Sequence, residues 1–129
     1  MRIMVVGDKA VEEKQLKHIK ELGHTVETVT TALGALKLVR GRNFDLILME
    51  LFLPDMEGSK IIPKIKKALP QVEIIATTSI NSRELEAEAR KHGISYYMIR
   101  PTDEKYLLTI LEHIAVNLRL NDPRSEGQD

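Results

Sequence analysis

The 129-residue chain predicts one doubly wound α/β domain, a parallel five-stranded sheet with helices on both faces. Short apolar runs, too brief for helices, alternate along the chain with longer segments whose apolar residues recur at helical spacing. The connections are short, and parallel neighbours require right-handed crossovers rather than hairpins. The apolar runs also end on polar residues or loop signals, and in such sheets ligands bind beyond the carboxyl ends of the strands.

Ile3 to Val6 predicts the first strand, ending at Gly7 and Asp8. From Ala10 to Leu22, the residues Leu16, Ile19 and Leu22 form an apolar stripe among lysines and glutamates, a helix closed by Gly23. Thr25 to Val29, rich in β-branched residues, predicts the second strand; a helix from about Ala32 to Arg40 follows, with Leu36 and Val39 inward and Gly41 as its stop. Asp45 to Glu50 is the third strand: Leu46, Ile47, Leu48 and Met49 are interior sequence that delivers a carboxylate to the sheet edge before a loop holding Pro54 and Gly58. Ile61, Ile62, Ile65 and Leu69 mark the third helix, whose start Pro63 makes late or irregular.

Val72 to Thr77 predicts the fourth strand, running into Thr77, Thr78 and Ser79. Asn81 with Glu84 resembles a capping box for a fourth helix that reaches His92 and stops at Gly93. Ser95 to Ile99 is the fifth strand, stopped by Arg100-Pro101. Asp103 then heads a long helix with Leu107, Leu111, Ile114 and Leu118 on one face. Residues 1–120 are expected to form the domain, and 121–129, with no apolar residue, a loose tail.

Nineteen basic residues balance nineteen acidic ones, so net charge gives no reason to expect nucleic acid or an anionic membrane as partner. Only a local patch would revive that idea. The absence of cysteine excludes disulfides, thiolate zinc sites and thiol catalysis, and suits a reducing cytoplasm. The opening run Met1 to Val6 is too short for a signal peptide or membrane span. No glycine-rich dinucleotide turn, phosphate-binding loop, or Ser-His-acid arrangement is present, so a non-enzymatic module is expected. His18, His24, His92 and His113 lack metal-ligand spacing, and Lys60, Lys64, Lys66 and Lys67 are most simply a solvated helix face.

The strand ends place Gly7, Asp8, Glu50, Thr78, Ser79 and Arg100 on one polar rim. Asp8 is also positioned to cap the first helix. A carboxylate ending a buried strand needs water, a cation or hydrogen-bond donors beside it. For Glu50 that makes the rest of the rim its environment.

From Arg2 to about Leu118 the chain resembles a receiver domain of bacterial two-component signalling. The carrying blocks are Ile3-Met4-Val5-Val6-Gly7-Asp8, Asp45-Leu46-Ile47-Leu48-Met49-Glu50-Leu51, Leu53-Pro54-Asp55-Met56-Glu57-Gly58, Ile74-Ile75-Ala76-Thr77-Thr78-Ser79, and Gly93-Ile94-Ser95-Tyr96-Tyr97-Met98-Ile99-Arg100-Pro101. The resemblance implies a three-layer flavodoxin-like fold with strand order 2-1-3-4-5, a phosphoacceptor position at Glu50, a metal-binding acid at Asp8, a switch hydroxyl at Thr78 and a mobile aromatic at Tyr97. It also implies partner contacts through the fourth helix, fifth strand and fifth helix, which here carry Arg83, Glu86, Arg90, Tyr97 and Lys105. The expected partners are a histidine kinase, an output protein or a second copy of the chain.

The chemical positions depart from that pattern. Gly7 replaces the first acid of the metal pair, Glu50 the aspartate and Arg100 the lysine. Magnesium wants octahedral oxygens at roughly 2.0–2.1 Å, so a site lacking one carboxylate is weak at best. Glu50 reaches about 1.5 Å farther than aspartate and places one charge where a phosphoryl group would carry roughly −1.5 to −2. Arg100 offers a planar fork suited to bidentate pairing with that carboxylate. The expectation is a pseudo-receiver that needs no cofactor, with a permanent Glu50–Arg100 ion pair; the alternative is an active phosphoacceptor using Glu50 or nearby Asp55 with Mg²⁺.

Overall fold

A computed structural model of the chain describes residues 1–120, and the tail expected at 121–129 lies outside them. The strands are β1 (Arg2–Val6), β2 (Thr25–Val29), β3 (Leu46–Glu50), β4 (Glu73–Thr78) and β5 (Tyr96–Ile99). All pair in parallel, in the order β2-β1-β3-β4-β5. The helices are α1 (Glu13–Glu21), α2 (Ala32–Gly41), α3 (Ile62–Ala68), α4 (Arg83–Lys91) and α5 (Glu104–Leu120).

Alternation along the strands divides the core in two. Met4, Val6, Ile47, Met49, Ile74 and Ala76 pack against Ala35, Leu36 and Val39 of α2, Ile62 and Ile65 of α3, and Ala89 of α4. On the other face Ile3, Val5, Leu46, Leu48, Ile75 and Met98 meet Ile19 of α1 and Leu107, Ile110, Leu111 and Ile114 of α5. β3 is central, so Leu46 to Met49 are all fully buried, each worth about 1.5–3 kcal/mol relative to exposure. A helix on either face makes any slip of β3 unfavourable, which holds Glu50 at the top edge.

Local chemistry moves several boundaries. The chain turns after Gly7 and seats Ala10 in the core, so α1 begins at Glu13 rather than Ala10. Its opening is held by Glu12, whose N–H donates to Gln15 Oε1 at 3.0 Å, and not by Asp8. Leu22, expected inward, follows the last turn of α1 and is 55% exposed. The irregular start predicted from Pro63 takes the form of a 3-10 turn, Gly58–Lys60, before α3 places the proline in its first turn, where no amide hydrogen is missed. At α4 the cap is Ser82, whose Oγ accepts from the Leu85 N–H at 3.3 Å, one residue later than the expected Asn81. Lys66 leaves the lysine face expected of α3: its Nζ donates to the Val72 carbonyl at 2.8 Å.

Candidate functional site

Glu50, Asp8 and Arg100 meet at the carboxyl edge of the sheet, in an open cleft of about 710 Å³ lined also by Lys9, Val11, Glu12, Glu13, Ser79 and Pro101. The backbone N–H of Arg100 donates to the Thr78 carbonyl at 2.8 Å, extending the β4–β5 ladder by one residue. This puts the guanidinium over the end of β3. Arg100 Nη2 lies 3.1 Å from Glu50 Oε1, and the pair is largely withdrawn from water, with side chains 17% and 13% exposed respectively. The expected bidentate clamp is not formed. The fork is split: Nη1 donates to the Lys9 carbonyl, so one arginine ties Glu50 to the loop after β1.

Gly7 explains where the other half of the carboxylate goes. A Cβ at this position would stand 2.8 Å from Glu50 Cβ, 2.9 Å from Glu50 Oε2 and 3.1 Å from Leu53 Cδ2. Its φ of +102° is also one that side chains rarely adopt. Gly7 is therefore more than a missing acid, because Glu50 fills the volume that any side chain at position 7 would enter. In this arrangement Glu50, through its Cβ as well as its carboxylate, and a side chain at 7 exclude each other.

Thr78 is fully buried and its Oγ1 accepts from the Ile80 N–H at 3.1 Å, so the hydroxyl closes on its own loop. The Tyr97 hydroxyl approaches the Ile80 carbonyl at 3.5 Å, a long contact. Both residues expected to respond to phosphate thus converge on Ile80. Partial burial, then the Glu86 carboxylate, hold the Tyr97 hydroxyl above its ordinary pKa. Thr77, paired in register with Glu50, has a buried Oγ1 with no hydrogen-bond partner among the described residues.

Asp55 does not point into the cleft's chemistry. Its carboxylate accepts from the Ala32 N–H at 2.9 Å and the Leu33 N–H at 3.0 Å. Thr31 Oγ1 accepts from Gly34 at 3.0 Å, so the first amides of α2 are satisfied by two side chains. The sequence offers no signal for the Asp55 contact, which joins residues 23 apart. These backbone bonds hold the Asp55 carboxyl below its ordinary value of 3.8. A depressed folded pKa means the ionised form stabilises the native state above the unfolded value, and that stabilisation is lost as pH falls through the lowered one. Thermal melts across acid pH should show wild type above Asp55→Asn at neutrality, with the two converging in strong acid; a constant offset would contradict this role.

Of the expected partner surface, Arg83 and Arg90 are exposed on α4, and Glu86 pairs with Arg90 at 2.7 Å. Tyr97 packs beneath α4. Lys105 parts from this set: it lines a groove between α1 and α5 with His18, Leu22 and Leu108.

The family's chemistry implies Mg²⁺, and the donors present do not fit it. Asp8 is exposed, no acid stands at position 7, and Glu50 is committed on one side to a guanidinium that competes for its charge. Among the described residues no group of three or more His, Cys, Asp or Glu side chains could hold a metal ion.

A parallel 2-1-3-4-5 sheet with a carboxylate and a cation at its carboxyl edge, and a buried hydroxyl and an aromatic meeting at the loop after β4, defines a receiver architecture. The model of the response regulator receiver domain matches residues 3–112, and the chain belongs to that family. It is 33% identical over 102 residues to the transcriptional regulatory protein CitT of Bacillus subtilis, covering 78% of this chain and 43% of CitT. NtrC of Azospirillum brasilense, a DNA-binding transcriptional regulator, is 30% identical over 81% of this chain, which spans 22% of its length. The chain therefore corresponds to one part of such relatives. A CheY-like receiver domain from Methanospirillum hungatei superposes with a TM-score of 0.83 at 28% identity, covering 93% of this chain and 98% of that one.

Proposed function

We propose that this receiver domain signals without phosphoryl transfer, acting through protein contacts as an interaction module and not as an enzyme. The observation that carries this is Glu50, paired with Arg100 on one side and filling the space over Gly7 on the other. In-line attack needs a free, correctly placed oxygen and a cation to gather charge. Here the oxygen is occupied, and the first acid of the metal pair is replaced by Gly7, over which Glu50 lies. A half-buried, already paired charge instead supplies a fixed version of what a phosphoryl group would bring transiently.

The face of α4, β5 and α5 is the proposed contact surface, toward a kinase, an output protein or a second copy. The beryllofluoride-activated NtrC4 receiver domain, 26% identical with a TM-score of 0.76, is a dimer, which supports that direction. No helix among the described residues is long and apolar enough to cross a membrane. Such partners would be met in the cytoplasm.

Incubation with Mg²⁺ and a small phosphodonor, followed by intact-mass measurement, tests the reading. The expected result is no phosphoryl adduct under conditions that modify an ordinary receiver. An adduct at Glu50 or Asp55 would establish the active-phosphoacceptor alternative; at Asp55 it would first require release of the two α2 amides.

A further inference from the structure

We propose that the face formed by α2 and α3 docks an acidic, amphipathic segment of a protein partner. Residues 32–41 and 58–68 contain six basic residues and no acidic one, in a chain whose nineteen basic and nineteen acidic residues balance overall. Five of them, Lys37 and Arg40 on α2 with Lys60, Lys64 and Lys67 on the 3-10 turn and α3, are exposed. None of the five forms an ion pair among the described residues. The sixth, Lys66, is turned inward to the Val72 carbonyl.

Helix stability does not account for this arrangement. Cations in a last helical turn complement the dipole, which covers Arg40 and Lys67. Lys64 stands in the first turn of α3, where positive charge is unfavourable, and Lys60 ends the 3-10 turn just before it. Lys60 with Lys64, Lys64 with Lys67, and Lys37 with Arg40 are like charges at spacings of three or four residues, each pair mutually repulsive. On α4, by contrast, Arg90 meets Glu86 and His92 meets Glu88. Arg42, just past α2, is likewise neutralised by Glu27. Lys14, Lys17 and Lys20 on α1 also form no ion pair among the described residues, but that helix carries Glu13 and Glu21 among them, whereas α2 and α3 carry no acid.

Between the two cationic rows runs a groove of about 250 Å³ lined by Leu36, Val39, Ala68, Arg40, Lys64 and Lys67. An apolar floor between cationic rims is complementary to a helix bearing an aliphatic stripe flanked by carboxylates. It suits a nucleic-acid backbone less well. Phosphates have no use for the floor, and residues 32–41 and 58–68 contain no aromatic side chain on which a base would stack. The proposal does not depend on the state of Glu50.

The test uses the whole chain and a fluorescein-labelled synthetic helical peptide with leucines on one face and glutamates beside them, read by anisotropy. Saturable binding is expected, weakened at least about tenfold by Arg40→Glu/Lys64→Glu/Lys67→Glu. The milder Lys64→Gln/Lys67→Gln variant, with its circular dichroism and melting temperature matched to wild type, should weaken binding in the same direction. Reversal of Lys14, Lys17 and Lys20 on α1 should leave it unchanged, and replacing the peptide's leucines with serine should reduce it. The proposal is overturned if the chain does not bind the peptide, if the α1 reversal has the same effect, or if a DNA duplex of mixed sequence binds the α2–α3 face more tightly than the peptide.

Discussion

Gly7→Ala is expected to destabilise the fold by about 3 kcal/mol, a substantial share of the roughly 5–15 kcal/mol that holds a domain together. Two effects add. A side chain at φ +102° is strained, by about 1–3 kcal/mol, and its Cβ would press on Glu50 Cβ and Oε2 at 2.8 and 2.9 Å, an overpacking effect of about 1–3 kcal/mol. They separate in a double-mutant cycle, because Glu50→Gly removes both crowding atoms of residue 50, Cβ and Oε2, and leaves the backbone strain at Gly7. Urea midpoints should show the same substitution at Gly7 to be milder in the Glu50→Gly background by about 1–3 kcal/mol, the contact share. An equal effect in both backgrounds would refute the mutual exclusion of residues 7 and 50. The same logic predicts that Gly7→Asp alone will not rebuild a metal site, since the new carboxylate must enter space that Glu50 already fills.

Arg100→Ala should be the other large loss, about 1–3 kcal/mol. Removing one partner of a fully buried ion pair costs about 3–5 kcal/mol; here the side chains are 17% and 13% exposed at an open cleft, so water recovers part of that. Two acceptors lose their donor together, the Glu50 carboxylate and the Lys9 carbonyl. Arg100→Lys keeps the charge but has no fork to divide between them, and should fall between wild type and alanine. The double variant Glu50→Gln/Arg100→Met, which removes both charges, should regain part of the stability lost in Arg100→Ala. Unfolding curves for the single variant within about 0.5 kcal/mol of wild type would place the pair among surface salt bridges of little energetic weight. Under the proposed function Glu50→Gln should also weaken partner binding, and only in part, because a fixed charge shifts a two-state surface by no more than its differential energy.

Periodicity and punctuation, which are properties of neighbouring residues, were enough to place the strands and helices. The run Leu46 to Met49 admits only a buried strand, Glu50 follows as its polar end, and Pro63 forbids a smooth helix from Gly58. Ordered blocks around those elements also carried the family and the rim of Asp8, Glu50 and Arg100. Where neighbouring signals compete, sequence reading slipped by a residue or a turn. Ser82 displaced Asn81 as the α4 cap, and the turn after Gly7 delayed α1 and left Leu22 outside the core.

The rest depends on atoms brought together from distant parts of the chain. The split fork of Arg100 follows from how the Lys9 carbonyl approaches it, 91 residues away in sequence. Asp55 is an α2 cap only because the loop after β3 passes over the first amides of that helix. Thr78 and Tyr97 meet at Ile80 through the β4–β5 register. Most of all, the residues alone show that Gly7 stands where an acid is expected and that the carboxylate at Glu50 is longer by one methylene. Their link comes from the fold: parallel pairing of β1 with β3 sets the two positions side by side, where a side chain at 7 would meet both the Cβ and Oε2 of Glu50, and two groups cannot occupy one volume.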